Sequence, residues 1–388
     1  MPHSIPRVVS VILVVLACAG TAFAQAPAPP ANQWVAADID WKKTLADFRE
    51  DANWVTTDGY SDNSFRTKTG EVLIRTGIRS SSAGWNPGFY TNTSVLWDPK
   101  TDTAKVIDVF RWGGGSGGGG KLLEGFAENP TPSPRHTYDG MAYVPDEDAL
   151  YLHMGATWRT GGQGVAPDAK QQHTRDERES TWKFTFADGK WTRIDHNIRK
   201  FWPSGVSPYE QHLELWPEKN KLLWLNDNGD RYAEFNLETQ QWENEARIER
   251  PTVPNRLYNA RSAWDSKRQL WVFRLGPDLC TFDPKTKSYT SLPRCWDLPP
   301  RPDEARQSDR RYAMKGVVYI PKHDAYLVTG RTGNDTMVYD VEAGKWSELK
   351  AGDIELVNGY LQYDPATDLV LMNYQLQCFK LRYEPAAQ

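Results

Sequence analysis

The sequence contains few of the residues that build metal centres. Seven histidines are spread through 388 residues, and none of them forms a His-x-His or His-Glu-x-x-His pair. Cysteine is also scarce, with four in the chain and no Cys-x-x-Cys spacing. These absences predict no preformed zinc site and no cofactor. The alternative is a divalent cation held by His136, His212 and Glu210, if the fold brings the three side chains together.

Long hydrophobic runs are missing as well. No stretch approaches the roughly 20 apolar residues of a membrane-spanning helix, so we expect no membrane span. The apolar run at 8–17 is shorter, follows Arg7, and precedes a small-residue pattern at 22–24. This order is typical of a secretory signal peptide covering residues 1–24 and predicts a secreted or periplasmic protein. The alternative is a lipid anchor on Cys18, because residues 15–18 resemble a lipoprotein processing box.

An excess of positive charge is also absent. The formal net charge is −4 at pH 7, and no polybasic tract occurs. Lys and Arg clusters are what attract nucleic acid and anionic membranes, so the charge balance excludes both as expected partners. We expect a monomer whose ligand is an anionic polysaccharide or a protein.

Three cysteines lie outside the predicted signal peptide, namely Cys280, Cys295 and Cys378. An oxidising compartment favours disulfides, and an odd number leaves at least one thiol unpaired in a monomer. Cys280 and Cys295 belong to the same repeat and form the favoured pair. Three buried free thiols are the alternative.

Aromatic residues are abundant by contrast, with 17 tryptophans and 17 tyrosines. Laying the chain against itself shows two kinds of hairpin. In the first kind, an apolar strand ending in an aromatic residue leads through a turn to a second apolar strand, as at 140–153 and 317–328. In the second kind, the last strand carries Trp or Tyr, as at Trp191 and Trp242. The two kinds alternate, which predicts four-stranded antiparallel units, the blades of a β-propeller.

The count of these units predicts an all-β fold with a single propeller of six blades. It covers residues 33–385 and follows a flexible Pro/Ala leader at 25–32. The last blade lacks its fourth strand, because the chain ends after the strand at 377–383. We expect a strand from residues 33–47 to fill that place, which closes the ring and covers the open sheet edges. Seven blades, with residues 33–62 supplying more than one strand, is the alternative.

Some of the units resemble the kelch repeat. Arg135 stands in a Pro-Arg stretch that enters an inner strand, the next strand ends at Gly155, and Trp191 has the position of the kelch aromatic in the outer strand. Elsewhere the kelch glycine doublet is absent, with only Gly276 and Gly330 in the corresponding place. The chain therefore resembles the kelch-type propellers of the galactose oxidase/kelch-like superfamily, a resemblance that implies the fold and little about function.

Loop lengths distinguish the two faces of the predicted disk. We label the strands of each blade a to d from the central channel outward. The a–b and c–d turns are short, and every long connection is a b–c or d–a connection on the opposite face, where binding sites concentrate. The starts of strands a on this long-loop face are rich in Arg, Tyr and His, which suits an anionic ligand. The predicted substrate-binding residues are Arg135, Tyr209, Tyr258, Arg261, Arg311 and Tyr312, and the predicted catalytic residues are His136, Tyr138 and His212.

Two functions follow from these residues, and the sequence leaves open whether the protein is an enzyme. The first is an exported propeller that binds a glycan, above all an anionic carbohydrate, or a protein partner through its long-loop face. The second is a polysaccharide lyase or another carbohydrate-active enzyme, in which His and Tyr transfer the proton while Arg neutralises a uronate carboxylate. Propellers serve both functions, and the arginines could equally be inter-blade struts.

Overall fold

The computed structural model describes residues 26–44, 63–77, 89–113, 132, 135–157, 180–194, 198–202, 211–251, 257, 260–295, 316–329, 336–352, 354, 359–374 and 377–385. The predicted signal peptide at 1–24 lies outside these residues. Strands dominate the described part of the chain.

Six four-stranded antiparallel sheets make up the fold. In the first five, the hydrogen-bonded order follows the chain, so each blade consists of two consecutive hairpins. Blade one contains β2 (Asn63–Arg66), β3 (Glu71–Gly77), β4 (Phe89–Asp98) and β5 (Thr103–Gly113). Blade two contains β7 (Met141–Val144), β8 (Ala149–His153), β10 (Thr181–Thr185) and β11 (Lys190–Ile194). Blade three contains β12 (His212–Trp216), β13 (Lys221–Leu225), β14 (Arg231–Asn236) and β15 (Gln241–Arg247).

The second half of the ring repeats this pattern. Blade four contains β16 (Arg261–Asp265), β17 (Leu270–Leu275), β18 (Asp278–Asp283) and β19 (Ser288–Leu292). Blade five contains β20 (Val317–Ile320), β21 (Ala325–Val328), β22 (Thr336–Asp340) and β23 (Lys345–Leu349). Blade six contains β24 (Tyr360–Asp364), β25 (Leu369–Tyr374), β26 (Gln377–Leu381) and β1 (Val35–Ala36).

A few short elements accompany the blades. The two-residue strands β6 (Arg135–His136) and β9 (Ala156–Thr157) pair with each other in a small separate sheet. One helical turn, α1 (Trp41–Thr44), follows β1. Single 3₁₀ turns occupy Pro145–Glu147, Ile198–Lys200 and Pro217–Lys219.

The inner strands close into a ring around a central channel. β2 contacts β7, β7 contacts β12, and the series continues through β16, β20 and β24 back to β2. The prediction of a six-bladed propeller is confirmed. The seven-blade alternative is wrong because β24 of the sixth blade packs directly against β2 of the first.

The ring closes by pairing the two ends of the chain, as predicted. β1 runs antiparallel to β26, with Val35 opposite Lys380 and Ala36 opposite Phe379. Part of the predicted flexible leader also lies against the propeller, since the Ala26 N–H donates to the Lys100 carbonyl at 2.7 Å. The closure protects an edge of blade six that would otherwise expose unpaired backbone groups.

The hydrophobic core is divided among the interfaces between blades. Strand side chains alternate between the two faces of a sheet, so each blade packs against both neighbours. Six apolar clusters result, one between each pair of adjacent blades. The second strands are therefore buried on both faces and contain continuous apolar runs, such as residues 222–225 of β13.

Turn lengths differ between the two faces as the sequence predicts. Every a–b and c–d connection has four residues, for example 145–148 and 186–189. Several a–b turns end on an Asp in the left-handed conformation, with φ of 44° at Asp148, 49° at Asp324 and 58° at Asp368. Asp tolerates this conformation better than most residues. The b–c and d–a connections contain all the longer segments.

The three cysteines of the propeller are free and buried. The favoured disulfide between Cys280 and Cys295 is wrong, and the alternative of three buried thiols is correct. The reason lies in the packing, because Cys280 belongs to the cluster between blades three and four whereas Cys295 belongs to the cluster between blades four and five. Among the described residues, no helix is long and apolar enough to cross a membrane.

Candidate functional site

The inner strands enclose a cavity of about 350 Å³ along the axis of the propeller. Its wall contains residues from all six blades, from the starts of strands a to the a–b turns. Most of the wall is apolar, as at Met141, Leu213 and Val317. A few polar side chains interrupt it, which is the composition typical of small-molecule sites. These polar lining residues are Ser64, Asp139, Glu214, Arg261, Ser262, Tyr360 and Gln362.

The described residues include only part of the predicted site. Tyr209, Tyr258, Arg311 and Tyr312 lie outside them, as does Glu210 of the alternative cation site. Arg135 and His136 form β6, of which only the backbone is described. The side chains that are described are those of Tyr138, His212 and Arg261.

Arg261 lies at the first position of β16, where strand a of blade four begins. Its side chain is buried and lines the cavity. Nη2 donates to the Tyr360 hydroxyl at 2.7 Å, and Nη1 donates to the Ala260 carbonyl at 3.0 Å. The guanidinium also lies 4.5 Å from the centroid of the Tyr360 ring, within the range of a cation–π contact. Arg261 and Tyr360 thus join blade four to blade six.

Blade five lies between the other two and leaves room for this contact. Its strand a is preceded by Gly316, whose N–H donates to the Gly359 carbonyl at 2.9 Å. A Cβ on Gly316 would lie 2.6 Å from Leu361 Cγ and 2.8 Å from the Gly359 oxygen. Any larger residue would push the start of blade six away from blade five and would disturb the position of Tyr360.

His212 begins strand a of blade three and is buried, with about 1% of its surface exposed. Its Nδ1 lies 2.7 Å from Asp139 Oδ2, and its Nε2 lies 3.1 Å from the Leu257 carbonyl oxygen. Both partners are hydrogen-bond acceptors, so both ring nitrogens act as donors in this arrangement. Both ring nitrogens are therefore engaged by oxygen atoms of the protein.

Ser262 of blade four also contacts Asp139, since its hydroxyl donates to the same Oδ2 atom. Asp139 belongs to blade two, so the carboxylate links three consecutive blades through His212 and Ser262. The three residue types are those of a hydrolytic triad, but their connections differ. In a triad the serine hydroxyl donates to the imidazole, whereas here the carboxylate accepts from both, which leaves the serine without a base.

Tyr138 lies just before Asp139 in the left-handed conformation, with φ of 53°, and is buried. This turn places Asp139 where its carbonyl accepts from the Leu213 N–H at 2.8 Å. Gly140 completes the turn, because a Cβ there would lie 2.8 Å from the Thr137 oxygen. The turn thus fixes Asp139 between blades two and three.

Glu214 lies two residues after His212 and, unlike His212, lines the cavity. Its Oε1 accepts from the Leu215 N–H at 3.0 Å. Burial, opposed by that hydrogen bond and helped by the nearby charge of Asp139, raises the pKa of the Glu214 carboxyl to about 8. The carboxyl therefore carries its proton at neutral pH and acts as a donor as well as an acceptor.

Sequence reasoning identified His212 and Arg261 and missed four of their neighbours, namely Asp139, Glu214, Ser262 and Tyr360. One signal could have found Glu214. It stands three residues before the first residue of its a–b turn, a position that is Ala142, Ala263 or Val318 in other blades. Ser64 and Gln362 hold this position in the remaining two blades, so Glu214 is the one acidic residue of the column, an exception that the repeat alignment exposes.

The described residues contain no group of three or more His, Cys, Asp or Glu side chains arranged to hold a metal ion. No protein-family model matches the chain, and no curated protein matches it. The six-bladed propeller therefore stands on the structure alone, and the kelch resemblance has no family match behind it.

Proposed function

We propose that the protein is an exported binding protein that recognises an anionic carbohydrate at the long-loop end of its channel. The position of Arg261 is the main support for this function. Its guanidinium lines the cavity at the start of strand a, and Tyr360 orients it through a hydrogen bond and the face of its ring. A guanidinium held in this way is preorganised to donate hydrogen bonds to a carboxylate or sulfate.

The chemistry of His212 favours binding over catalysis. A lyase base must take a proton from the substrate, which requires a ring nitrogen that can accept one. Both nitrogens of His212 donate to acceptors of the protein, Asp139 and the Leu257 carbonyl. His212 therefore supports the site by holding blades two, three and four together, and the proposal assigns it no catalytic step.

The position of the longer connections supports the same end of the molecule. The d–a connections lead into the starts of strands a, where Arg261 and Tyr360 lie, and the b–c connections lie on the same face. Four-residue turns occupy the opposite face. Long loops on a rigid scaffold are where recognition residues concentrate, so we place the carbohydrate on the long-loop face.

A binding assay with matched substitutions tests the proposal. The mature chain is titrated with acidic polysaccharides such as alginate and polygalacturonate, and with neutral dextran as a reference. We expect binding to the acidic polymers only, weakened by added salt. Arg261→Gln should lower that affinity about 10- to 100-fold, which corresponds to about 1.5 to 3 kcal/mol for a charge-assisted hydrogen bond.

Arg268→Gln is the matched control for the loss of one positive charge. Arg268 lies in the a–b turn of the same blade and pairs with Asp324 at 2.6 Å, on the face opposite to the proposed site. We expect this variant to bind acidic polymers as the wild type does. Equal losses in both variants would mean that the polymer responds to general charge, and the proposal would fail.

The same incubations distinguish a binding protein from a lyase. A lyase acting on uronate polymers produces an unsaturated uronate that absorbs in the ultraviolet, whereas a binding protein leaves the absorbance unchanged. Formation of that product would overturn the assignment of a binding function. Binding of none of the acidic polymers would favour a protein ligand instead.

A further inference from the structure

The channel has a second end, at the face formed by the a–b turns. Four prolines begin these turns, namely Pro145, Pro217, Pro321 and Pro365. All four are exposed to solvent and all four line the cavity. The cavity therefore reaches the surface on this face, opposite to the site of the proposed function.

The long-loop end of the same cavity is crossed by side chains from blades that are not neighbours. Arg261 of blade four meets Tyr360 of blade six, and Ser262 of blade four meets Asp139 of blade two. Such contacts span the lumen, because the blade between each pair is bypassed. These two contacts cross the lumen at the long-loop end of the cavity, and the other end of the cavity, at the a–b turns, is open to solvent.

We propose that this pocket, entered from the a–b turn face, binds a neutral sugar ring. Its volume of about 350 Å³ lies at the lower end of the range of small-molecule sites, which suits one ring. The surrounding blades and the contacts across the lumen exclude a polymer that would have to pass through. Arg261, which the proposed function assigns to the anionic ligand, also lies on the wall of this pocket, so the two ligands differ in the face from which each enters.

Aromatic rings line the entrance of the pocket. Phe65, Tyr143, Trp264, Tyr319 and Tyr363 all contribute to the wall at the ends of their strands a. The three tyrosine hydroxyls donate to the Asp that ends the same turn, at 2.9, 3.0 and 2.9 Å. These bonds fix the rings before a ligand arrives, which lowers the entropy that binding costs. Phe65, Tyr143 and Tyr319 are buried in the clusters between blades, so the partly buried Trp264 and Tyr363 are the rings that offer surface to the apolar face of a sugar.

Polar groups lie deeper, at the middle of the strands. Ser64, Glu214 and Gln362 share one register position, three residues before the first residue of their a–b turns. The other blades place Ala142, Ala263 and Val318 there. A hydroxyl, a carboxyl and an amide thus stand at one depth among small side chains, which leaves room for the hydroxyl groups of a ligand.

The chemistry of Glu214 selects a neutral ligand. With its pKa raised to about 8 by burial and by Asp139, the carboxyl is uncharged at neutral pH. It donates one hydrogen bond and accepts another, as a sugar hydroxyl requires. A negatively charged ligand gains nothing from Glu214, and a cationic ligand would first have to displace its proton. Arg261 and Asp139 line the same pocket with opposite charges, so the wall as a whole favours neither sign.

The test uses the mature chain and free monosaccharides as probes. Saturation-transfer NMR at neutral pH compares glucose, galactose and N-acetylglucosamine with charged glucuronate and glucosamine. We expect at least one neutral sugar to bind and the charged sugars to bind more weakly. Absence of binding by every neutral sugar, or stronger binding of glucosamine than of any neutral sugar, would overturn the proposal.

Substitutions locate the binding in the pocket. Glu214→Leu and Gln362→Leu each remove hydrogen bonds at nearly constant size and should weaken the neutral sugar about tenfold. Glu214→Gln keeps a donor and an acceptor and should retain most of the affinity that Glu214→Leu loses. Gln377→Leu, on the exposed first position of β26, is the control and should bind as the wild type does.

Two further outcomes decide the matter. Melting temperatures of the variants show whether each is folded, and Gln362→Leu provides the test if Glu214→Leu does not fold. Undiminished binding in both leucine variants would place the sugar elsewhere and overturn the proposal. Loss of acidic-polymer binding on Arg261→Gln, with neutral-sugar binding lost only in the leucine variants, would establish two separate sites.

Discussion

Trp34 donates its indole N–H to the Thr336 hydroxyl at 3.0 Å, across 302 residues of sequence. Trp34 immediately precedes β1 and belongs to the apolar cluster between blades five and six. The ring is therefore closed by two different contacts, the pairing of β1 with β26 and the insertion of this side chain.

Truncation of Trp34 should weaken the whole propeller. Trp34→Ala leaves a large cavity between two blades, so we expect the free energy of unfolding to fall by about 3 to 5 kcal/mol. Thr336→Val removes only the hydrogen bond to the indole and should cost about 1 kcal/mol. Urea denaturation followed by tryptophan fluorescence measures both. An equal, small effect of the two substitutions would mean that the N-terminal segment does not stabilise the ring.

The aspartates that end the a–b turns should make the stability of the fold depend on pH in the acidic range. Asp148 accepts from Arg66 Nε at 2.8 Å and from Arg66 Nη2 at 2.6 Å, and Tyr143 donates to it as well. The Arg66 guanidinium is the main reason that the pKa of Asp148 is lowered from 3.8 to about 2. A lowered pKa means that the unfolded chain binds the proton more tightly, so this stabilisation is present above pH 4 and is lost as pH falls through about 2.

Asp148→Asn isolates the charge, because Asn also tolerates the left-handed conformation of this residue. We expect the variant to lose about 2 kcal/mol at neutral pH and almost nothing near pH 2. Thermal melting over that pH range measures the difference. A loss that does not change with pH would assign the effect to shape and not to the ion pair between blades one and two.

Glu214 should have the opposite pH dependence. Its pKa is raised from 4.5 to about 8, so the folded chain binds the proton more tightly than the unfolded chain does. Stability then falls as pH rises from about 4.5 through about 8. Asp139 on the cavity wall strengthens this effect by its charge.

The variant Glu214→Gln has no proton to lose. We expect its melting temperature to exceed that of the wild type at about pH 9 by more than at about pH 5. The comparison requires only differential scanning calorimetry at the two pH values. Parallel shifts at both would show that Glu214 ionises normally in the channel.

The three propeller thiols should be unreactive in the folded protein. Burial raises the pKa of Cys280 and of Cys295 to about 12, and thiolate is the reactive form. A chain that starts at residue 25 should therefore react with Ellman's reagent only after unfolding, and then at all of Cys280, Cys295 and Cys378. Rapid reaction of any thiol in the native state would contradict their burial.

The fold was predictable from the sequence because its signals are local and repeated. The a–b hairpin of blade two, from Met141 to His153, and its counterparts show the same alternation and the same turn residues. The closing strand was also predictable, since the repeat count leaves blade six without a fourth strand. The disulfide was wrong because spacing along the chain does not show that Cys280 and Cys295 lie on opposite faces of one blade.

The candidate site was predictable only in outline. Arg261 was identified because it stands at the start of a strand a, which any repeat alignment locates. Its contact with Tyr360 spans 99 residues and depends on ring geometry that no local pattern contains. The supporting role proposed for His212 differs from the predicted catalytic role for the same reason. Asp139 and the Leu257 carbonyl come from different blades and together occupy both ring nitrogens.

Recognition of an anionic ligand by Arg261 can be tested by one paired measurement. The affinity for the acidic polysaccharide and the melting temperature are measured together for Arg261→Gln and the wild type. We expect a 10- to 100-fold loss of affinity, equivalent to about 1.5 to 3 kcal/mol of lost interaction, in a variant that stays folded at the assay temperature although its melting temperature falls with the loss of the Tyr360 contact. A lowered melting temperature with unchanged affinity would contradict this expectation. Arg261 would then serve only to link blades four and six.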